Sequence, residues 1–561
     1  MTLTNEYLKL KKSNCKNCYK CIRSCPVKSI RFSGNQAHIV GDACILCGQC
    51  FVVCPQNAKV IQSDTERAKQ LIFNGDVVVS VAPSFAASFE GASIRTMEAA
   101  LKQLGFIAAE ETAIGAGYVK TRYEEILKAG SGVLISSCCH TVNLLIRKYY
   151  PEALHSLARV MSPMAAHCQS IKERYSGAKT VFIGPCISKK AEADDYDGIV
   201  DCVLTFEELN EWFAAEGINV AREHLPPDQC GTERFFPTSG GILKTMEKLP
   251  DRSYIHIDGL DNCIKVLEEL CHSAPDGAKR CFIEMSACAG SCTGGPVAGV
   301  NRTSPLSDFV SISRYAGTGN LALPETKGSL VREHSYLGLN RTLPSSAEIN
   351  EVLRKMGKTK PEDELNCSTC GYNTCREKAV AICQGKADLT MCLPFLKDRA
   401  ESFSDNIISN TPNAIIVLNE ALEIQQINNA ALKLTGLTAA SDVLGEHIIR
   451  LFTPTDFFNV MDSGKNIHDK KLYLAEYGKY LEETVIYDKS YHILICILRD
   501  VTEAETIRRR KELVSASAIE ITDNVIDKQM RAVQEIALLL GETAAETKIA
   551  LSKLKGSLTD E

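Results

Sequence analysis

The feature that most restricts this chain is a run of cysteines repeated almost at once. Cys15, Cys18, Cys21 and Cys25-Pro26 recur as Cys44, Cys47, Cys50 and Cys54-Pro55, each displaced by 29 positions, so a duplicated cluster module occupies residues 1–65. The chain holds 25 cysteines, an odd number gathered into tight groups. No apolar run reaches the ~18 residues a bilayer span requires, and the first residues, MTLTNEYLKLKKSN, lack the apolar core of a secretion signal. The expectation is a cytoplasmic protein with no membrane partner. Thiols are kept reduced in that compartment, so metal accounts for the cysteines better than disulfides do. With 63 basic and 69 acidic side chains, the net charge of −6 is too slight to steer the chain onto nucleic acid.

At roughly 150 residues per domain, 561 residues imply three to five domains. From residue 70 to 355, short apolar runs such as Val77-Val78-Val79-Ser80-Val81, Val133-Leu134-Ile135 and Val181-Phe182-Ile183 alternate with helical patterns like Tyr123 to Lys128. That texture predicts parallel strands with crossover helices, an α/β domain. A polar stretch from Leu343 to Glu364 closes it, and a compact cysteine group follows in residues 358–400. A mixed segment covers 404–502, and a helical tail covers 503–561. The fold class is thus multidomain α/β and α+β. In the tail, Ile519, Ile526, Val533, Ile536 and Leu540 set one apolar stripe, with Gly541 expected to interrupt the helix.

The repeated spacing, C-x2-C-x2-C-x3-C-P, resembles that of bacterial two-cluster ferredoxins, in which the fourth cysteine of each run ligates the other run's cluster. Carried onto this chain, Cys15, Cys18, Cys21 and Cys54 hold one 4Fe-4S cluster, and Cys44, Cys47, Cys50 and Cys25 hold the second. Zinc is the competing ligand, since C-x2-C pairs also suit it.

Three further groups lie far apart in the α/β region: Ser137-Cys138-Cys139, Gly184-Pro185-Cys186 through Lys190, and Glu284-Met285-Ser286-Ala287-Cys288 through Cys292-Thr293-Gly294-Gly295. Each follows a predicted strand, which places all three at the carboxyl edge of a parallel sheet, where open α/β folds bind ligands. Buried structural thiols are the plainer alternative. These segments resemble the signatures of FeFe hydrogenases, and the resemblance spans about residues 1 to 395. It implies that Cys139, Cys186, Cys288 and Cys292 hold a 4Fe-4S cubane and that Cys292 bridges to a diiron unit carrying carbonyl, cyanide and azadithiolate. It further implies that Cys138 passes protons, that Lys189 donates to an iron-bound cyanide, and that Ala82, Pro83 and Ser84 line the other cyanide.

Several positions depart from the family's fast enzymes. His140-Thr141 follow the cysteine pair, Gly184 stands where methionine is usual, and Met285 sits one place early, leaving Ser286. Met164-Ala165-Ala166-His167-Cys168 replace a glutamine pair, and the outward acidic pair has no clean match in Arg122-Tyr123-Glu124-Glu125. Such groups set potential and proton delivery, so slow turnover is expected with the cluster still bound. His167 and Cys168 are either a replacement relay or packing.

Cys367, Cys370, Cys375 and Cys392 form another four-cysteine set, resembling a small 4Fe-4S domain shared with corrinoid and carbon monoxide metabolism proteins, with zinc as the alternative. That brings the expected cubanes to four. Cys383 reads as packing, and Cys202, Cys230, Cys263, Cys271, Cys281 and Cys496 as core. The segment from Asn410 to Gly436 resembles the opening of a PAS sensor domain, and His447, His468 and His492 are too scattered for a haem site. The tail stripe either packs on its own protein or pairs with a second helix, a homodimer being expected. The resemblance implies a PAS-containing hydrogenase that senses hydrogen or redox state and signals to a separate kinase or phosphatase type of protein. Its substrates would be hydrogen and protons, with ferredoxin or another redox carrier as partner. The competing readings are a metabolic, ferredoxin-linked hydrogenase and a related scaffold lacking the diiron unit.

Overall fold

The computed structural model describes residues 7–11, 14–130, 132–223, 231–272, 280–298, 304–339 and 344–557. Cys230 and Leu343 therefore lie outside the described residues. The chain divides into two compact units, Met1–Leu396 and Lys397–Glu561.

At the start of the first unit the backbone repeats as the sequence does. Left-handed residues fall at Asn17 and Leu46 (φ 56° each), at Tyr19 (56°) and Gly48 (73°), and at Lys28 (48°) and Asn57 (46°), every pair 29 apart. These turns wrap the chain tightly on either side of two short helices, Lys20–Arg23 and Gln49–Val52. Around them pair β1 (Leu8–Leu10), β2 (Ile30–Ser33), β3 (Gln36–Ile39) and β4 (Lys59–Ile61), antiparallel as β1–β4 and β2–β3.

The central region carries two parallel sheets rather than one. Strands β5 (Val77–Val81), β6 (Ala108–Glu111), β8 (Lys179–Gly184) and β9 (Cys202–Thr205) form a four-stranded sheet in the order β6-β5-β8-β9. A separate three-stranded sheet, β10-β11-β7, joins β10 (Ser253–Asp258), β11 (Cys281–Ser286) and β7 (Val133–Ile135). All five residues of β5 are buried, as expected of a β-branched run covered on both faces by crossover helices. The main core packs Val79, Val81, Phe85, Val181, Ile183 and Phe206 around the larger sheet. The first two cysteine groups of this region thus leave different sheets.

The small cysteine region clamps onto the repeat. Cys370, Tyr372 and Met391 share a core with Ile22, Cys25, Ile30 and Cys50. Lys28 Nζ donates to Gly371 O at 3.0 Å, and Arg23 donates to Ser368 O and Thr369 O, both at 3.3 Å.

The second unit contains a five-stranded antiparallel sheet ordered β13-β12-β16-β15-β14, from β12 (Ala414–Asn419), β13 (Ile424–Ile427), β14 (Ile467–Leu474), β15 (Lys479–Asp488) and β16 (Ile493–Asp500). One side chain in two along β12 enters a core with Val485, Leu494 and Cys496, the alternation of a sheet wet on one face. His447 accepts a bond from Ile449 N, His492 bonds Glu420, and His468 is exposed, so these histidines do surface work. The tail corrects one expectation. A single helix runs Thr502–Ser557 straight through Gly541, because one exposed glycine costs only about 1 kcal/mol against alanine. Its apolar stripe does not pack on its own unit: from Leu513 to Gly556 every described residue is exposed. Cys383 is likewise exposed rather than packed, while Cys202, Cys263 and Cys496 are buried and Cys271 and Cys281 partly so.

The repeat meets the α/β region at Gly48, where an added Cβ would stand 2.6 Å from Pro296 Cβ and 3.0 Å from Ile187 Cδ1. Gly48→Ala should therefore cost about 2–4 kcal/mol, combining left-handed strain with overpacking. Gly177→Ala, at φ 82° with open space around it, should cost only about 1–2 kcal/mol. Unfolding midpoints of the two variants measure the difference, and equal losses would deny the tight contact.

Candidate metal centre

Each cysteine loop is held by its own backbone bonds and by its neighbours. After β7, Ser137 Oγ donates to Val160 O at 2.7 Å and Asn143 Nδ2 to Ser137 O at 2.8 Å, which fixes the turn carrying Cys138 and Cys139. Ser136 Oγ accepts from Met285 N at 3.1 Å and so ties this loop to β11. The loop after β11 lies against the loop after β8: a Cβ on Gly295 would come 2.5 Å from Pro185 O. Small residues there let the backbones approach this closely. Three sequence-distant loops thereby meet, with Cys139, Cys186, Cys288 and Cys292 all within electrostatic range of one another.

The chemistry of this set fits an iron-sulfur group. Burial pushes the Cys186 thiol up to about 11 and Cys292 to about 12, each raised further by neighbouring cysteines, and Cys288 moves the same way. Buried thiolates repel one another unless a cationic core sits among them, and iron binds the thiolate. Ser84 Oγ and Ser188 Oγ are buried without a hydrogen-bond partner, polar groups able to bond to a bound group. Ala82 N bonds Ile183 O at 2.8 Å, holding the Ala82-Pro83-Ser84 turn against the end of β8, beside Cys186.

Cys138 has a hydrogen-bonding partner of its own and lies within electrostatic range of Cys292. Its sulfur lies 3.3 Å from Tyr123 Oη, which also accepts from Ser137 N at 2.8 Å and meets Ser137 Oγ at 3.0 Å. Burial pushes the Cys138 thiol up to about 12, with Lys189 and Tyr123 acting against it and Glu284 adding to it. Lys189 Nζ donates to Cys138 O at 3.2 Å and pairs with the Glu192 carboxylate at 2.5 Å. These two acceptors use two of its three N–H donors. Burial pulls the Lys189 ammonium down, but Glu192 outweighs it and the group stays charged.

The repeat brings together the cysteines of both expected sets. Cys21 feels Cys15, Cys18 and Cys54, whereas Cys50 feels Cys47, Cys44 and Cys25. Backbone N–H groups reach the sulfurs at repeated places: Ser29 N to Cys25 and Ala58 N to Cys54, both at 3.3 Å. Such bonds tune a cluster's potential. Cys370 feels Cys392 and Cys367, and Lys378 feels Cys375 as well. Among the described residues no set of His, Cys, Asp and Glu closes on a single-ion position.

The sets adjoin. Cys288 is within electrostatic range of Cys47, and a cavity of 350 Å³ between the two loops is lined by Pro26, Cys47, Gly259, Cys288 and Gly294. Tyr372 stands near both Cys370 and Cys25, and Tyr19 near both Cys15 and Cys370.

Two residues that matter here escaped the sequence reading. Tyr123 was visible only as a departure from an acidic pair, and its inward direction depends on helix Ala113–Ala129 being buried along that face. Glu284 was named only as part of a motif. Burial raises its carboxyl to about 7 against the N–H groups of the Gly240–Leu243 turn, and it lies within range of Cys138. His167 bonds Ser80 at 2.8 Å and Glu110 at 3.2 Å, and Cys168 neighbours Thr180 and Ser80, so both belong to the flank of the larger sheet.

Residues 75–296 match the family described as iron only hydrogenase large subunit, C-terminal domain. Residues 7–55 match a 4Fe-4S dicluster domain, 363–394 an Fe-S cluster family, and 402–466 the PAS fold. Over 332 residues, 46% of this chain, it is 24% identical to the NADP-reducing hydrogenase subunit HndD of Solidesulfovibrio fructosivorans, and it spans 56% of that protein's length. Among solved structures, a variant of FeFe-hydrogenase HydA1 from Chlamydomonas reinhardtii is 18% identical, covering 50% of this chain and all of that one, with a TM-score of 0.38. The PAS domain of nitrogen regulation protein NR(II) from Vibrio parahaemolyticus is 22% identical, covering 17% of this chain and 96% of that one, with a TM-score of 0.15. No helix among the described residues is long and apolar enough to cross a membrane. The chain thus joins a segment matching the iron only hydrogenase large-subunit family to two segments matching iron-sulfur cluster families and one matching the PAS fold.

Proposed function

We propose that the chain interconverts hydrogen with protons and electrons, slowly, and reports hydrogen or redox state through its PAS fold and tail to a separate signalling protein. The observation that carries the first part is the meeting of Cys139, Cys186, Cys288 and Cys292 beside the repeat's Cys47. In this reading those four cysteines would hold a cubane, and Cys292 would also hold a diiron unit bearing carbonyl, cyanide and azadithiolate. When bound, that unit supplies the chemistry of heterolytic hydrogen cleavage. The chain's own residues do the rest. Cys138 takes up and returns the proton, with Tyr123 holding its sulfur in place at 3.3 Å. Lys189, charged and anchored by Glu192, would offer its remaining N–H to one cyanide of that unit, and Ser84 would line the other.

Electrons leave by way of the set containing Cys47, then the set of Cys15, Cys18, Cys21 and Cys54. The set of Cys367, Cys370, Cys375 and Cys392 adjoins both. The helix Leu393–Asn410 begins at the residue after Cys392 and ends four residues before β12 opens the PAS sheet. That continuity of chain supports a sensor, because an enzyme that only exchanges electrons with ferredoxin needs nothing beyond its last cluster. The likeness to a hydrogenase subunit named for NADP reduction favours the metabolic reading instead.

Roles divide cleanly in two variants. Cys138→Ala should keep the iron content of the reconstituted protein and lower hydrogen turnover about 100-fold or more. Cys139→Ala should lose cluster iron. The reverse pattern would exchange the two roles.

The sensor reading has its own test. Removing residues 401–561 should leave hydrogen turnover measurable, while the intact chain should show different amide exchange in the tail under hydrogen and under argon. Identical protection in both gases, with turnover as fast as a metabolic enzyme's, would leave the metabolic reading standing.

A further inference from the structure

The tail helix Thr502–Ser557 is 56 residues long, and only its first turns engage the PAS sheet, through Glu505 with Lys471 at 3.5 Å and Arg509 over the Tyr480 ring at 4.7 Å. Beyond them, Ile519, Ile526, Met530, Val533, Leu540 and Leu551 stand 52 to 65% exposed. Long helices owe most of their stability to packing of an apolar face, so this seam calls for a partner helix.

The seam's own residues choose the partner and its direction. Ile519, Ile526, Val533 and Leu540 occupy one core position of a heptad; Asp523, Met530, Ala537, Ala544 and Leu551 occupy the other. The flanking position next to the first row reads Glu520, Asp527, Gln534, Gly541, Lys548 and Lys555, acidic in its first half and basic in its second. We infer that two copies of this chain pair through these tails in antiparallel fashion, centred near Leu538. This direction sets Asp527 of each copy against Lys548 of the other, and Glu520 against Lys555. It also places Ala537 opposite Leu540 and Ala544 opposite Val533, so that small meets large in successive layers. A parallel pair would oppose Asp523 to its own copy, leave Ala537 and Ala544 facing alanine, and bring no flanking charges of opposite sign together. The inference rests on the homodimer expected for the tail and adds its direction.

The consequence is spatial. At 1.5 Å per residue, antiparallel tails hold the two Thr502 ends about 110 Å apart, whereas parallel tails hold them side by side. The PAS sheets from which the two tails leave then lie at opposite ends of the pair, and the middle of the tail is presented as a two-helix surface.

Full-length protein with p-benzoylphenylalanine in place of Gln529 tests the direction. Photocrosslinking within a dimer should join this position to the segment around Ala550 of the second copy, and solution scattering should give an elongated particle. The combination Glu520→Lys with Asp527→Lys should weaken the dimer on the order of tenfold, and adding Lys548→Asp with Lys555→Glu should restore it. A crosslink from position 529 to the same segment of the second copy would mean parallel tails, overturning the inference while the dimer stands. A monomer at micromolar concentration would remove both. These surface changes leave the fold and the cysteine loops untouched, so loss of pairing is not confused with loss of structure.

Discussion

The mutual repulsion of buried thiolates is the constraint around which the first unit is arranged. Cys139, Cys186, Cys288 and Cys292 come from three loops leaving two sheets, and burial, with the neighbouring cysteines adding to it, drives the thiols of Cys186, Cys288 and Cys292 away from the ionised form. Nothing in a hydrophobic core rewards that arrangement. A cationic iron-sulfur core would, and the surrounding features follow from it: glycines where backbones must close on one another, hydroxyls of Ser84 and Ser188 left unpaired, and Lys189 kept charged by Glu192. The repeat applies the same principle locally, with backbone N–H groups turned onto Cys25 and Cys54 by duplicated left-handed residues.

Adjacency of the cysteine sets gives this arrangement its direction. Cys288 and Cys47 face each other across one cavity, and Tyr372 and Tyr19 bring the small cysteine region to the repeat. Gly48 packs closely on the α/β region at Pro296 and Ile187. The region around Cys392 then differs from the others in one respect: the chain continues from it as helix into the second unit.

Much of this was legible from cysteine spacing, because ligand geometry fixes intervals of two and three residues whatever surrounds them. Strands β5, β7 and β8 were legible from their apolar runs. The division into two sheets was not, since a parallel strand looks the same whichever neighbours it has. Tyr123 and Glu284 were hidden for a related reason: contact with Cys138 is made across elements, and no local pattern marks it. Gly541 misled because a glycine's local cost of about 1 kcal/mol is small beside the cooperativity of a long helix. Cys383 misled because four ligands were already assigned around it, which left packing as its expected role.

The central claim is that the meeting of the three loops serves a hydrogen-active diiron unit. Infrared spectroscopy of the matured full chain, in the region of metal-bound carbonyl and cyanide stretches, tests it most directly. The account predicts bands of both kinds that shift reversibly when argon is replaced by hydrogen. Their absence from protein that carries its full complement of iron-sulfur clusters would contradict it and leave a scaffold related to hydrogenases.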